Sequence, residues 1–400
     1  MAIEGKSDAA TAPIRLGMVG GGQGAFIGGV HRIAARMDGH FRLVAGALSS
    51  DAERARASGA ELGLEPERSY ASFEDMAKAE AKRPDGIEAV SIVTPNHMHF
   101  PAARAFLKAG IHVICDKPLT STFADAKKLA ALAEGSGKLF VLTHNYTGYP
   151  MVRQAREMVA KGEIGTIRLV QAEYAQDWLT TPLEQTGQKQ ADWRTDPARS
   201  GAGGCIGDIG THAFNLASFV SGLEADSVAA DLDTFVDGRR LDDNVHVMLR
   251  FKPIVRGNRT EHAAKGMLWA SQVAPGNENA LKLRIYGTKG GLEWAQEDPN
   301  YLWYTPFGEP KRLITRGGAG SNAAAARMTR VPPGHPEGYL EGFANIYAEA
   351  AAAIRALRGK KGKLPKDVLF PTVDDGLTGM KFIDACVRSS ARNAAWTKLQ

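Results

Sequence analysis

The chain has 400 residues, of which 44% are hydrophobic and 23% are charged. This composition is typical of a folded, water-soluble protein of two domains, and it excludes a largely disordered chain. The net charge of +5 comes without a basic patch interleaved with aromatic residues, so nucleic acid is not an expected partner.

Cysteines and the first residues bear on the cellular setting. Cys115, Cys205 and Cys386 are far apart and form no CxxC pair, so we expect neither a disulfide framework nor a metal site. Residues 1–12 are polar and predicted to be a flexible N-terminus, and the basic run at 360–366 indicates a solvated loop. No segment reaches the ~20 apolar residues that would span a membrane. The chain is predicted to be cytoplasmic.

In the first part of the chain, short apolar runs alternate with helix-like stretches. Near-continuous apolar runs are typical of strands buried on both faces, so the alternation predicts a parallel sheet covered by helices. The predicted strands are 14–19, 41–47, 86–93, 112–115 and 139–143, and the predicted helices are 28–37, 51–62, 100–108 and 122–135. A parallel sheet of this kind is typical of a Rossmann domain, to which we assign residues 13–148.

After about residue 150 the pattern changes to consecutive strands. Val245, Val247 and Leu249 alternate with polar or exposed positions, as in an antiparallel sheet with one covered face. Residues 149–400 are therefore predicted to form an α/β domain with a large open, mostly antiparallel sheet, for substrate binding and oligomerisation. Its predicted helices are 151–161, 336–357 and 372–389, and 317–327 is expected to be a mobile loop over the active site. A homodimer or homotetramer is expected, because a second copy of the chain would bury the open face of the sheet.

A glycine-rich loop, VGGGQGAFIGG, follows the first strand and opens the first helix. Gly20 and Gly22 are expected to take positive φ and to let backbone N–H groups approach a pyrophosphate, with the helix starting near Ile27. The alternative is a tight turn without a ligand. The loop residues assigned to the cofactor are Gly20, Gly22, Gln23, Gly24 and Ile27.

The end of the second strand bears on the choice between NAD and NADP. An acidic residue there would bind the ribose hydroxyls of NAD, but the chain has Ser49, with Arg54 one helical turn further on. This pair favours NADP, or use of both cofactors. Asp51 is either the missing acid or simply the cap of the next helix.

Three further motifs carry candidate chemistry. The strand over 86–93 leads into TPNHMH, and the strand over 112–115 leads into Asp116 and Lys117, at the edge where a Rossmann sheet binds its ligand. The segment GGCIGDIGTH holds Asp208 and His212 four residues apart, on one face of a helix.

These motifs, together with the Trp193-Arg194 pair, resemble the glucose–fructose oxidoreductase/inositol dehydrogenase family, called Gfo/Idh/MocA. The resemblance covers nearly the whole chain and implies a Rossmann domain followed by a domain with an open sheet. Asp116 and Ser49 depart from it, since Glu and Asp are usual at these positions. The further cofactor-binding residues that the resemblance implies are Thr94, Pro95, Asn96, His99, Asp116, Lys117, Trp193 and Arg194.

The resemblance implies hydride transfer between a nicotinamide cofactor and a ring carbon that bears a hydroxyl. We assign His212 as the acid/base, Lys117 as the group that holds the reacting oxygen, and Asp208 as an orienting residue. By the same resemblance, either Lys117 or His212 is the residue that moves the proton. The substrate residues are predicted to be Lys117, Tyr146, Trp178, Arg194, Asp208 and His212. His97 and His144 are interpreted as structural.

The chain is thus predicted to be an NAD(P)-dependent dehydrogenase or reductase acting on a sugar, glycoside or inositol. One alternative is a cofactor-retaining glycoside hydrolase on the same fold, which would release sugar without net cofactor reduction. A second is a non-catalytic nucleotide sensor, which has no need of Lys117, Asp208 and His212 together.

Overall fold

The structure is a computed structural model that describes residues 12–256, 259–260, 262–358 and 364–400. The predicted flexible N-terminus, except its last residue, and most of the basic run lie outside the described residues. Two large sheets organise the chain, one of five strands and one of nine, beside a two-stranded hairpin. None of the described helices is long and apolar enough to cross a membrane.

The first sheet is parallel throughout, which confirms the predicted Rossmann arrangement. Its strands are β1 Ile14–Gly20, β2 Phe41–Ala47, β3 Ala89–Val93, β4 His112–Cys115 and β5 Phe140–Leu142. They lie in the order β2-β1-β3-β4-β5. The chain runs from β1 to β2 on one side and then crosses back to β3 on the other side of β1. A crevice therefore opens between the carboxyl ends of β1 and β3.

Five helices connect these strands. They are α1 Phe26–Met37, α2 Ala52–Glu61, α3 Phe73–Glu80, α4 His99–Lys108 and α5 Phe123–Ser136. Asp51, Ser72 and Thr122 each accept a hydrogen bond from a backbone N–H in the first turn of the helix that follows, and so fix its start. Helix α3, which is only eight residues long, is not among the predicted helices.

The second sheet is mostly antiparallel, as predicted. Its strands are β6 Ile167–Ala175, β7 Ala225–Asp233, β8 Asn244–Phe251, β11 Lys265–Ser271, β12 Ala280–Gly287, β13 Gly290–Ala295, β14 Tyr301–Pro306, β15 Arg312–Thr315 and β16 Thr397–Lys398. The hairpin consists of β9 Val255–Arg256 and β10 Arg259–Thr260. The nine strands of the second sheet lie in the order β15-β14-β13-β12-β6-β11-β8-β7-β16, and the central pair β6 and β11 is parallel.

Helices cover one face of this sheet and leave the other open. The remaining helices are α6 Pro150–Ala160, α7 Lys189–Arg194, α8 Pro197–Ser200, α9 Thr211–Ser221, α10 Ala323–Met328, α11 Tyr339–Arg358 and α12 Val373–Ser390. Helices α6, α9 and α12 pack on the sheet. Along β8, Val245, Val247 and Leu249 are buried while the residues between them are exposed, as the alternation predicts.

Segment 317–327 is not a loop throughout, so that part of the prediction is wrong. Its second half belongs to α10, which Asn322 caps by accepting from the N–H of Ala325 at 3.0 Å. The side-chain amide of Gln154 on α6 accepts through Oε1 from the N–H of Asn322 at 2.7 Å. It also donates through Nε2 to the carbonyl oxygen of Gly320 at 3.0 Å. Helix α10 packs on α6, with Ala325 fully buried.

Helix α11 returns to the first sheet and packs on α1. His31 of α1, Ser91 of β3 and Tyr347 of α11 form a buried polar cluster in which His31 Nδ1 lies 2.8 Å from the Tyr347 hydroxyl. Burial lowers the pKa of His31 from 6.5 to about 4. Among its neighbours, Asp116 raises this pKa and Arg32 lowers it.

We therefore expect the free energy of unfolding to decrease as the pH falls from 6.5 towards 4. In this range the unfolded chain binds more protons than the folded protein, so the contribution of neutral His31 is complete above pH 6.5 and lost below it. The change from 6.5 to about 4 corresponds to about 3 kcal/mol, at roughly 1.4 kcal/mol per unit. Urea unfolding at pH 7.0, 5.5 and 4.5 measures it.

His31→Gln should reduce the dependence of unfolding on pH, because its side chain does not titrate. His335→Gln is the control, because the His335 side chain is exposed. An unchanged pH slope in His31→Gln would contradict the assignment.

Candidate active site

The loop after β1 has a backbone that glycine adopts most easily. Gly20, Gly21 and Gly24 have φ values of +78°, +73° and +73°. The prediction of a positive φ at Gly22 is wrong. Gly22 is needed for space, since a Cβ atom there would lie 2.6 Å from the carbonyl oxygen of Leu48 at the end of β2.

The first turn of α1 packs directly against this loop. A Cβ atom at Gly28 would lie 2.3 Å from the Cα of Gly21, so the two backbones meet without side chains between them. The Arg32 guanidinium donates to the carbonyl oxygen of Gly21 at 2.5 Å. The helix begins at Phe26, one residue before the predicted start at Ile27. Its N-terminus is thus held beside the loop, where its free N–H groups favour a phosphate.

A cleft of about 600 Å³ extends from this loop, along the carboxyl ends of β1 to β4, to the turn before α9. Most of the residues assigned to the cofactor line it. They are Gly20, Gly22, Gln23, Ile27, Ser49, Arg54, Thr94, Pro95, Asn96, Asp116, Lys117, Trp193 and Arg194. Gly24 lines a separate depression on the outer side of the loop.

His99 does not line the cleft, although it was assigned to the cofactor, and the neighbouring His97 does. His99 is fully buried, and its ring nitrogens lie 2.8 Å from the carbonyl oxygen of Pro118 and 2.9 Å from that of Thr94. It therefore ties the ends of β3 and β4 together behind the cleft wall. The short helical turn Asn96–Met98 directs the two histidines to opposite sides.

The cleft fits a dinucleotide on the evidence of its polar atoms. Among the residues that the structure describes, buried Thr94 Oγ1 and His97 Nδ1 have no hydrogen-bond partner, and both residues line the cleft. A buried polar group without a partner costs free energy, which a bound ligand with amide and phosphate groups would offset. Gly22 lines the same cleft, and its lack of a Cβ atom lets the loop backbone approach the carbonyl oxygen of Leu48.

Ser49 and Arg54 both line the cleft, at the end of β2. Asp51 between them does not line it, because its carboxylate accepts from the N–H of Arg54 at 2.7 Å and caps α2. The alternative interpretation of Asp51, as a helix cap, is therefore the one that fits. Glu74 is an acidic residue on the same part of the wall.

Lys117 and Asp208 meet at the other end of the cleft. Lys117 Nζ donates to Asp208 Oδ1 at 2.8 Å and to the backbone oxygen of Asp208 at 2.5 Å. The second carboxylate oxygen accepts from Gln272 Nε2 at 2.9 Å and faces Arg194 Nε at 3.2 Å. These cations hold the pKa of Asp208 well below its usual range, against the effect of burial. Asp208 is therefore a carboxylate at neutral pH.

Backbone contacts fix both members of this pair. Asp116 Oδ1 accepts from the N–H of Lys117 at 2.9 Å and from the Thr143 hydroxyl at 3.1 Å. Asp208 lies on a π-helical turn, Ile206–Gly210, rather than on a regular α-helix. Asp242 anchors this turn, since its carboxylate accepts from the N–H groups of Gly204 and Ile206. Burial raises the pKa of Asp242 to about 6.

His212 lies at the start of α9 among aromatic rings. Its ring centroid is 4.9 Å from that of Tyr146 and 5.4 Å from that of His144. Within the described residues, His212 has no hydrogen bond to Asp208. No direct contact therefore supports the prediction that Asp208 orients His212. Burial, and then the charge of Lys117, lower the pKa of His212 well below 6.5. The imidazole is neutral at pH 7.

The predicted substrate residues Tyr146 and Trp178 belong to one hydrogen-bonded network. The hydroxyls of Tyr146 and Tyr174 are 2.5 Å apart, and Tyr174 donates to Asn279 Oδ1 at 2.7 Å. The amide of Gln176 links Asn279 to the indole N–H of Trp178. Tyr146 touches His212, whereas Trp178 is joined to Tyr146 through Gln176, Asn279 and Tyr174.

Helix α7 carries Trp193 and Arg194 to the cleft from the second part of the chain. The Arg194 guanidinium stacks on the Trp193 ring at 4.2 Å and donates to Gln190 Oε1 at 2.5 Å. Its Nε contacts Asp208, so Arg194 touches both the cofactor cleft and the ion pair.

Sequence reasoning missed several residues of this site. Gly28 and His97 lie within recognised motifs, and only their roles were missed. Gln272 and Asp242 have no local signal, because they reach Asp208 and its turn from positions 64 and 38 residues away in the chain. Within the described residues, no cluster of three or more metal-ligating side chains is found.

Comparison with known proteins gives two family matches. Residues 14–146 match the model described as "Oxidoreductase family, NAD-binding Rossmann fold". Residues 152–293 match the "GFO/IDH/MocA C-terminal domain". Together they cover both the cleft and the turn that carries Asp208.

Individual relatives agree over nearly the full length. An oxidoreductase from Sinorhizobium meliloti is 64% identical, with a TM-score of 0.87 over 96% of this chain and 99% of that one. An inositol dehydrogenase homolog from Azotobacter vinelandii, complexed with NADH and myo-inositol, is 35% identical, with a TM-score of 0.89 over 96% and 97%. The uncharacterized oxidoreductase YfiI of Bacillus subtilis (strain 168) is 36% identical over 97% of both chains.

The contact between Gly21 and Gly28 yields a test of the cleft. Gly28→Ala should weaken NADH binding at least tenfold, because its Cβ meets backbone atoms that cannot move aside without shifting the loop. Gly29→Ala is the matched control, since outside the adjoining helix backbone the nearest atom to its Cβ would be Arg32 Nη2 at 3.9 Å. Fluorescence titration with NADH measures both. Equal affinities of the two variants would show that the loop does not hold the cofactor.

Proposed function

The chain belongs to the Gfo/Idh/MocA oxidoreductase family, and from this we propose that it interconverts a ring hydroxyl and a ketone of a sugar, glycoside or inositol. The observation that supports this most directly is the Lys117–Asp208 pair at the end of a cleft that fits a nicotinamide dinucleotide. The Lys117 ammonium at that point is suited to stabilise an oxygen atom that gains negative charge during the reaction.

Each side chain of the site has a separate task in this proposal. Bound NAD or NADP supplies the hydride acceptor or donor. The Lys117 ammonium binds the reacting oxygen and stabilises negative charge on it, while Asp208 keeps the ammonium in place. Neutral His212 takes the hydroxyl proton during oxidation and returns it during reduction.

The substrate ring is proposed to lie between Lys117 and the aromatic cluster of Tyr146 and His212. Aromatic faces suit the C–H side of a sugar or inositol ring, and the guanidinium of Arg194 can donate to neighbouring hydroxyls. The myo-inositol complex of the Azotobacter vinelandii homolog supports a ring polyol as substrate. Trp178 is proposed to act at the outer edge, through Gln176.

We also propose a homodimer or homotetramer, formed through the open face of the second sheet. Met248 of β8 and Met267 of β11 are cross-strand neighbours on this face, and Leu169 of β6 is exposed on it as well. Adjacent exposed apolar side chains of this kind favour burial against a partner.

Lys117→Ala should keep cofactor binding and lose at least about 10²-fold in kcat, because the variant lacks the group that stabilises the developing charge. The assay follows nicotinamide absorbance with NAD and NADP across monosaccharides, glycosides and inositols, beside a fluorescence titration of cofactor binding. Full turnover by Lys117→Ala would overturn the role of Lys117. Sugar release without net cofactor reduction would instead indicate the hydrolase.

Cofactor choice is proposed to depend on Ser49 and Arg54, which favour NADP or dual use. Arg54→Ala should weaken NADP binding about tenfold, the size expected for one charged hydrogen bond, and change NAD binding less than about twofold. Arg56→Ala, exposed on the same helix but outside the cleft, is the control. Equal losses for NAD and NADP in Arg54→Ala would contradict a contact with the 2′-phosphate.

A further inference from the structure

Gln272 lies at the carboxyl ends of two parallel strands, beside the Lys117–Asp208 pair. Strands β6 and β11 run parallel, so the residues that follow them emerge at one edge of the second sheet. Gln272 directly follows β11 and is only 2% exposed. Its N–H donates to the carbonyl oxygen of Asp243 at 2.8 Å, and its own carbonyl oxygen accepts from Leu179 at 3.1 Å. The backbone of Gln272 is therefore held on both sides.

The side chain of Gln272 ends on the Asp208 carboxylate. Its amide nitrogen donates to Oδ2 at 2.9 Å, while Oδ1 accepts from Lys117 at 2.8 Å. Arg194 also reaches Oδ2, at 3.2 Å, but its side chain is 24% exposed and lies on α7 at the cleft wall. Gln272 is thus the interior donor, with a fixed backbone, that sets the plane of this carboxylate.

We propose that Gln272 is a positioning residue that fixes Asp208 and, through it, the Lys117 ammonium. The proposal rests on the function proposed above. A neutral amide is suited to this place because it donates to the carboxylate without adding charge. A carboxylate at position 272 would lie against Asp208 and increase the negative charge beside Lys117.

Two variants test the donor and its neutrality separately. Gln272→Leu removes the donor at similar volume and should lower kcat about 10- to 100-fold, with little change in the KM for the cofactor, since hydrogen bonds to charged groups contribute this much. Gln272→Glu should move the acidic limb of the pH–rate profile for oxidation upward by about one pH unit, because added negative charge retains the site's proton.

The charged and titratable groups around Asp208 enter this shift together. They are Lys117, Arg194, Tyr146, Tyr174, Cys205 and His212. Gln154→Leu is the matched control, because Gln154 is equally buried at 2% exposure and its amide bonds only the segment before α10. It should change neither kcat nor the pH profile by more than about twofold or 0.3 units.

A second readout does not depend on turnover. Acetic anhydride labelling of Lys117, followed by mass spectrometry over a pH series without substrate, reports when its amine loses the proton. The midpoint should rise by about one pH unit in Gln272→Glu and stay unchanged in Gln154→Leu. If the wild type reduces no cofactor with any substrate, the proposed function fails and the labelling alone decides the role of Gln272. Unchanged labelling, or equal loss of kcat in the two leucine variants, would overturn the proposal.

Discussion

The ion pair between Lys117 and Asp208 is the contact on which the rest of the site depends. It joins residues 91 positions apart, one after a strand of the parallel sheet and one on a turn that leads into a helix of the second sheet. The two side chains are only 12% and 14% exposed. Desolvation offsets much of the attraction in such a pair, so it adds little net stability, whereas loss of one partner leaves a buried charge. The pair therefore lies where the two parts of the chain meet, and each part contributes one of its two side chains to the cleft.

Neighbouring residues hold both partners through backbone groups, which have little freedom to move. Asp116 bonds the N–H of Lys117 itself, and Asp242 bonds two N–H groups of the turn that carries Asp208. A site held in this way loses little conformational entropy when it binds a reacting group, which is the basis of preorganisation. The single parallel pair within the second sheet, β6 with β11, serves the same purpose, because it brings Gln176 and Gln272 to one edge.

The electrostatics of the site and of the fold are linked through buried histidines. Burial lowers the pKa of His144 to about 3 and that of His31 to about 4, and lowers that of His212 as well. A neutral imidazole is the form that the proton transfer proposed for His212 requires. The same burial makes acid unfavourable for the whole fold, since each of these groups binds a proton more readily when the chain unfolds.

The amino-acid sequence by itself determined the alternation of strands and helices, the glycine loop, and the position of Lys117 after a buried strand. These features follow from periodicity and from neighbours in the chain, and the structure agrees with them to within one or two residues for most elements. Only the tertiary structure decided that His97 lines the cleft while His99 lies behind it, that Gly28 meets Gly21, and that Asp208 bonds Lys117 and Gln272 rather than His212. It also turned half of a glycine- and alanine-rich segment into α10. In each case the outcome depends on groups that lie far apart in sequence or on opposite sides of one turn, and packing alone brings such groups together.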